Sequence, residues 1–331
     1  MRYPIFLFLF LVLTLLGCDR AEPSGSQGQV DAESASTLKV VATTTMLADL
    51  LRHLGGDHVE VHSLVGFGAD PHVYQPRPSD ARRVSESGLV AINGLLLEGW
   101  MESLVRHAGG ERPILVAGDA IEEAELLMVE GAVDPHIWFD TRLWIAVANH
   151  MHEGLLEVLP AELHPELRER YDEYRSVLEA LDGWTRAQIL TIPESRRVLI
   201  TSHDAFNYFG RAYSIDVEGV VGLSTEQEAS QRDLANIIEL VRERQAPAVF
   251  TETSVNSALI RQVAQETGAR AVGPLYSDSL GPPDSNAHTY VGMVESNVKM
   301  IVEALGGEYE QFLGARELQV HGEVHGEAGA N

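Results

Sequence analysis

The tripeptide Asp-Pro-His occurs twice, as Asp70-Pro71-His72 and as Asp134-Pro135-His136. With ordinary residue usage, either copy is expected on the order of once in ten thousand positions. Proline fixes its own φ and biases the preceding Asp toward extended geometry, so each histidine leaves a stiff turn. Stiffness suits a metal ligand, because metal–ligand distances tolerate only about ±0.2 Å. A single copy reads as a surface loop with an incidental histidine; the pair reads as two imidazoles presented for ligation. His203 is a third candidate, placed after a strand-like run, where loops of parallel sheets face the ligand crevice. Asp278, in Leu275-Tyr276-Ser277-Asp278-Ser279-Leu280-Gly281, is a fourth; taken alone, it is an ordinary capping or solvated loop acid.

These residues need a scaffold, and the chain alternates strand-like and helix-like stretches. Strands are predicted at 38–42, 59–65, 88–92 and 114–117, with helices at 46–54, 79–86 and 98–107. The alternation resumes with strands at 198–201, 216–221, 248–251 and 269–272 and helices at 232–244, 255–267 and 289–305. Such alternation indicates mainly parallel sheets covered by helices. Between the two series, apolar residues recur at Leu167, Tyr171, Tyr174, Leu178, Leu181 and Trp184, one face of a long helix that Pro165 opens and Pro193 stops. That helix, 165–192, would run roughly 35–40 Å and is a candidate rigid spine. A chain of 331 residues also exceeds the usual size of a single core. The expected fold is therefore α/β, with two similar lobes at 38–164 and 193–314 joined by one long rigid helix.

The ends read differently. Residues 5–16 are apolar except for Thr14, have the length of a signal-peptide core, and run into Leu15-Leu16-Gly17-Cys18. That is the pattern of a bacterial lipoprotein cleavage site, with 1–17 removed and Cys18 lipidated. Cys18 is the only cysteine, so it has no partner for an internal disulfide. Residues 18–37 are polar and small and read as a flexible tether, which anchors the protein to the outer face of the cell membrane. The 315–331 tail, with His321 and His325, reads as solvated. A formal net charge of −25 repels phosphate backbones and argues against nucleic acid as a partner.

Several longer stretches carry a specific resemblance. Gly68-Ala69-Asp70-Pro71-His72-Val73-Tyr74-Gln75-Pro76-Arg77-Pro78-Ser79-Asp80 resembles the first ligand motif of the zinc/manganese-type solute-binding proteins of ABC importers, the TroA-like superfamily. So do Asn93-Gly94-Leu95-Leu96-Leu97-Glu98-Gly99-Trp100, Asp134-Pro135-His136-Ile137-Trp138 and Ser202-His203-Asp204-Ala205-Phe206-Asn207-Tyr208-Phe209. Leu223-Ser224-Thr225-Glu226-Gln227-Glu228-Ala229-Ser230 and Tyr276-Ser277-Asp278-Ser279-Leu280-Gly281 complete the series, in family order. The resemblance implies a metal shell of His72, His136, His203 and Asp278, drawn from both lobes. It also implies a monomer that captures an ion by small movements and delivers it to a permease and ATPase.

Three imidazoles and one carboxylate form a borderline nitrogen/oxygen site that suits tetrahedral Zn²⁺, with Mn²⁺ and Fe²⁺ as alternatives. In the family, manganese-specific members often carry Glu where this chain has His203. Dedicated zinc members often carry a His-rich loop that is missing from 119–134. The balance favours zinc as the single cargo ion over manganese, with binding expected to weaken as pH falls through about 6.5. A metallohydrolase is the rival reading, but catalytic zinc keeps an open position and no H-E-x-x-H motif is present. Ser202-His203-Asp204 does not make a serine hydrolase, because neighbouring side chains rarely face one another. A surface adhesin stabilised by the metal is the third reading.

Overall fold

The computed structural model describes residues 37–129, 131–226 and 229–314. The expected signal segment 1–17, Cys18 and nearly all of the 18–37 tether, like the 315–331 tail, lie outside the described residues.

The N-terminal lobe opens with β1 (Leu38–Ala42), whose residues Val40, Val41 and Ala42 are buried. Helix α1 (Thr45–Gly55) follows at once, its first turn capped by the Thr44 hydroxyl, which accepts from Leu47 N. Then come β2 (Val59–Ser63), α2 (Pro78–Glu86), β3 (Leu89–Ile92), α3 (Met101–Ala108) and β4 (Ile114–Val116). The four strands form a sheet ordered β2-β1-β3-β4 with every pairing parallel. Parallel neighbours need crossover connections, and helices or long loops supply them.

The short antiparallel strands β5 (Met128–Val129) and β6 (Ala132–Val133) lead to the second Asp-Pro-His and to α4 (Thr141–Val158). Helix α4 adds to the elements expected from the sequence, although Leu143, Trp144, Val147, Ala148, Met151 and Leu155 recur at helical spacing and are all buried. Helix α5 (His164–Leu190) is the long spine, with proline in its first turn. Its 27 residues rise roughly 40 Å. Leu167, Tyr174, Leu178 and Leu181 are buried along one face, while Tyr171 and Trp184 are partly covered.

The C-terminal lobe repeats the alternation through β7 (Val198–His203), α6 (Asn207–Tyr213), β8 (Asp216–Val221) and α7 (Gln231–Glu243). It continues through β9 (Ala248–Glu252), α8 (Ala258–Thr267), β10 (Arg270–Leu275) and α9 (Tyr290–Leu305). Strands β7 and β8 pair in parallel, as do β9 and β10, and β7 lies against β9. Two differences from the sequence reading matter here. Helix α6 is new, and β7 extends to His203, so this histidine ends the strand instead of following it.

One apolar cluster runs from Val40 and Leu89 through Trp144, Leu178 and Leu181 to Phe206, Phe250, Leu275 and Ile301. The lobes and the spine therefore share a core. Parting the lobes widely would return that surface to water at about 25 cal/mol for each Å² of apolar area exposed. The four candidate ligand residues sit where the ends of β7 and the loops after β2, β6 and β10 meet.

Candidate metal centre

His72, His136, His203 and Asp278 converge: one donor atom from each lies within 4.8 Å of the other three. His72 Nε2 is 3.3 Å from His136 Nε2. Asp278 Oδ1 is 3.6 Å from His136 Nε2 and 3.5 Å from His203 Nε2. Ligands at 2.0–2.1 Å around a tetrahedral ion are separated by roughly 3.3–3.4 Å, so these spacings fit a four-coordinate shell. His203 Nε2 and Asp278 Oδ1 are buried without a hydrogen-bond partner among the described residues. Buried polar atoms are almost always satisfied, and two such atoms facing each other at 3.5 Å, beyond good hydrogen-bond range, leave room for a cation to be shared between them.

Each donor is held by groups behind it. Asp134 Oδ1 accepts from His136 N at 2.9 Å and pairs with His136 Nδ1 at 2.7 Å, which turns Nε2 toward the centre. Asp134 is fixed in turn by Asn207 Nδ2, at 3.1 Å from Oδ2, and by the Tyr208 hydroxyl, which donates to its carbonyl at 3.0 Å. Asn93 Nδ2 donates to the Pro135 carbonyl at 3.0 Å. Asn93 belongs to a loop that Glu98 clamps, accepting from Asn93 N at 2.8 Å and Gly94 N at 3.0 Å.

The first Asp-Pro-His is built differently. Asp70 Oδ1 accepts only the backbone N–H of His72, at 2.8 Å, and Trp100 Nε1 donates to the Pro71 carbonyl at 2.8 Å. His203 is gripped by Glu252, and Asp278 Oδ2 accepts from the hydroxyls of Ser254 at 2.6 Å and Ser277 at 3.1 Å. With Oδ2 engaged, Asp278 offers Oδ1 to the centre.

Sequence reasoning did not single out Glu252, Ser254, Asn93 or Asn207. Glu252 left a signal: it is the one charged residue of β9, AVFTE, all of which is buried. Asp278, an ordinary loop acid in isolation, is fully buried and faces the imidazoles.

The electrostatics of the four groups differ. Burial drives the His72 pKa down to about 3, only partly countered by Asp278, so this imidazole stays neutral. Burial acts in the same direction on His203, but the Glu252 and Asp278 carboxylates outweigh it and raise its pKa well above the ordinary range. Burial alone would raise Asp278; the neighbouring His203 instead holds it below the usual carboxylate range. Both shifts act in the direction that favours an imidazolium–carboxylate pair when no ion is bound.

Known proteins place this arrangement in context. Residues 40–304 match the family described as the zinc-uptake complex component A, periplasmic. The manganese-binding lipoprotein MntA of Bacillus subtilis is 37% identical over 306 residues, covering 90% of this chain and 97% of that protein. The zinc-binding protein TroA of Treponema pallidum is 36% identical over 284 residues, covering 84% of this chain and 92% of that one. The solved structure of the periplasmic zinc-binding TroA superposes with a TM-score of 0.78 at 34% identity, covering 81% of this chain and 99% of that chain. Fe(III)-bound YtgA of Chlamydia trachomatis gives a TM-score of 0.75 at 30% identity, covering 83% and 100%.

Proposed function

The chain belongs to the zinc-uptake complex component A family, and on that premise we propose that it is the binding subunit of an ABC-type metal importer. In this reading, His72, His136, His203 and Asp278 take one divalent transition-metal ion as cargo, to be passed to a permease and its ATPase. The observation that carries it is the convergence of four buried donors within 4.8 Å of one another, of which His203 Nε2 and Asp278 Oδ1 have no hydrogen-bond partner among the described residues. The protein would act as a monomer, tethered through a lipidated Cys18 to the outer face of the cell membrane; the lipoprotein naming of the Bacillus subtilis relative supports that anchor. The 38–164 and 193–314 lobes would bracket the ion, with 165–192 as the spine between them.

Zinc is the favoured cargo. Three of the six donor spacings, 3.3, 3.5 and 3.6 Å, are near the edge length of a zinc tetrahedron, and all lie within 4.8 Å. Ser254 and Ser277 engage the second oxygen of Asp278, which favours four donors over the six or so that manganese prefers. The relatives are named for either metal, so the choice rests on this donor set. Metal analysis of protein purified without added metal, followed by competition titration with Zn²⁺ and Mn²⁺, tests both levels. About one zinc per chain, displaced poorly by manganese, is expected. A stoichiometry near zero after reconstitution removes the binding function, and tighter manganese binding removes only the zinc preference.

A hydrolytic role is disfavoured, because four protein donors close a shell that catalytic zinc keeps open. A purely structural metal in an adhesin would not exchange, and a metal-exchange assay separates that reading from transport.

A further inference from the structure

The four donors are not anchored alike. His136, His203 and Asp278 are 0% exposed, whereas His72 is 8% exposed and lies at the mouth, beside Tyr74, Gly99, Trp100 and Glu226. His136 and His203 each have Nδ1 paired with a buried carboxylate, and Asp278 has one oxygen held by two serines. The His72 ring makes its only hydrogen-bond-range approach among the described residues to another candidate ligand, His136. Its backbone lies in a loop whose tie within its own lobe near the histidine is Trp100 Nε1, which donates to the Pro71 carbonyl at 2.8 Å. Leu64 N still donates to Ala42 O at the end of β1, and Val65 N to Thr43 O just beyond it. Residues 66–77 then form no helix or strand before α2, and a Cβ built on Gly66 or Gly68 would meet no atom within 4 Å.

Among the described residues, two hydrogen bonds tie this segment to the opposite lobe. The Thr225 hydroxyl, in the loop between β8 and α7, donates to Asp70 Oδ2 at 2.5 Å. Gly68 N donates to the buried Ser279 hydroxyl at 2.8 Å. Asp70 Oδ1 simultaneously receives His72 N, so the Thr225 bond acts on the histidine through one rigid carboxylate. The shared core opposes wide parting of the lobes. The ion's path therefore runs through the element that can move alone.

We propose that Thr225, supported by Ser279, is a positioning residue that holds the 66–77 segment closed, and that outward displacement of this segment, carrying His72 away, is the step that releases the ion. This deepens the proposed metal-binding function and rests on it. His136, His203 and Asp278 stay behind as a fixed three-donor cradle, and the release rate is set by cross-lobe bonds that touch no metal.

The test uses the mature chain loaded with zinc and mixed with excess chelator in a stopped-flow instrument. Thr225→Val is expected to speed zinc release by about tenfold, the size of effect that one hydrogen bond to a carboxylate produces. Thr225→Ser, which keeps the hydroxyl, is expected to retain the wild-type rate. Ser279→Ala adds a further increase in the double variant, with an unchanged melting temperature for the zinc-free protein. A valine variant that sheds zinc during preparation while the serine variant retains it also supports the latch. Equal release rates for wild type and the double variant overturn it, as does equal acceleration by Thr225→Val and Thr225→Ser. Wild-type protein that binds no zinc defeats the underlying function instead, so the two failures are distinct.

Discussion

Glu252 grips His203 at two points, its Oε1 accepting the backbone N–H at 2.9 Å and its Oε2 lying 2.5 Å from ring Nδ1. One carboxylate thereby fixes both where the strand ends and which way the ring faces, leaving Nε2 as the free donor. It also makes the imidazole a stronger base toward an ion, as carboxylates behind ligating histidines do. Replacing Glu252 with Gln keeps the volume but removes the charge, and one amide cannot accept from both N–H groups. Metal affinity is expected to fall by about 10–100-fold, read by competition with a chelator of known affinity. Unchanged affinity would deny Glu252 this role.

The same contacts revise the expected pH dependence. A threshold at the ordinary histidine value of 6.5 does not apply equally to the three rings: His72 is neutral down to about 3, whereas His203 is raised well above 6.5. The ion must displace the His203 proton, so affinity falls with falling pH already above 6.5, by at most about tenfold per unit. For the ion-free fold the sign is opposite. A raised histidine pKa contributes stability that is full below the unfolded value near 6.5 and is lost as pH rises through the folded value. Calorimetry in buffers of different ionisation enthalpy should find about one proton released per ion near neutrality; none released would contradict a protonated His203.

Across the lobes, Asp49 of α1 accepts the N–H of Tyr290, the first residue of α9, at 2.9 Å, and His53 Nδ1 sits 3.5 Å from its other oxygen. Asp49→Ala leaves that buried N–H unpaired at a helix start. A loss of about 1–3 kcal/mol is expected, seen as a drop of several degrees in melting temperature. A change within error would show that water replaces the carboxylate.

Because one apolar cluster threads both lobes and α5, the zinc-free protein should unfold in a single calorimetric transition. Leu181→Ala, at a fully buried position on the spine, should lower that transition as a whole by about 2–5 kcal/mol. Two separated transitions, only one of them moved by Leu181→Ala, would mean that the lobes fold independently.

Much of the scaffold was legible because its signals are local. Thr44 caps α1, proline opens α5, and Gly268 and Gly306, with φ of 79° and 84°, close α8 and α9, all from neighbours along the chain. The apolar periodicity of α5 was readable for the same reason. Helix α4 carries equally local signals, an Asp140 cap that accepts from Arg142 N and buried residues at helical spacing, and shows that such signals can still pass unassigned.

The sequence by itself determined the main alternation of strands and helices, though not α4, α6 or the short β5 and β6, together with the long spine and two stiff turns that each present a histidine. These follow from backbone stereochemistry and short-range spacing. Only the tertiary structure decided that Asp134 orients a ring while Asp70, in an identical tripeptide, reaches Thr225 in the other lobe instead. It also decided that Asp278 is buried against imidazoles, and that Glu252 stands behind His203 from 49 residues away. Partners so distant along the chain, and the burial and charge that set protonation, are properties of space that no local pattern encodes.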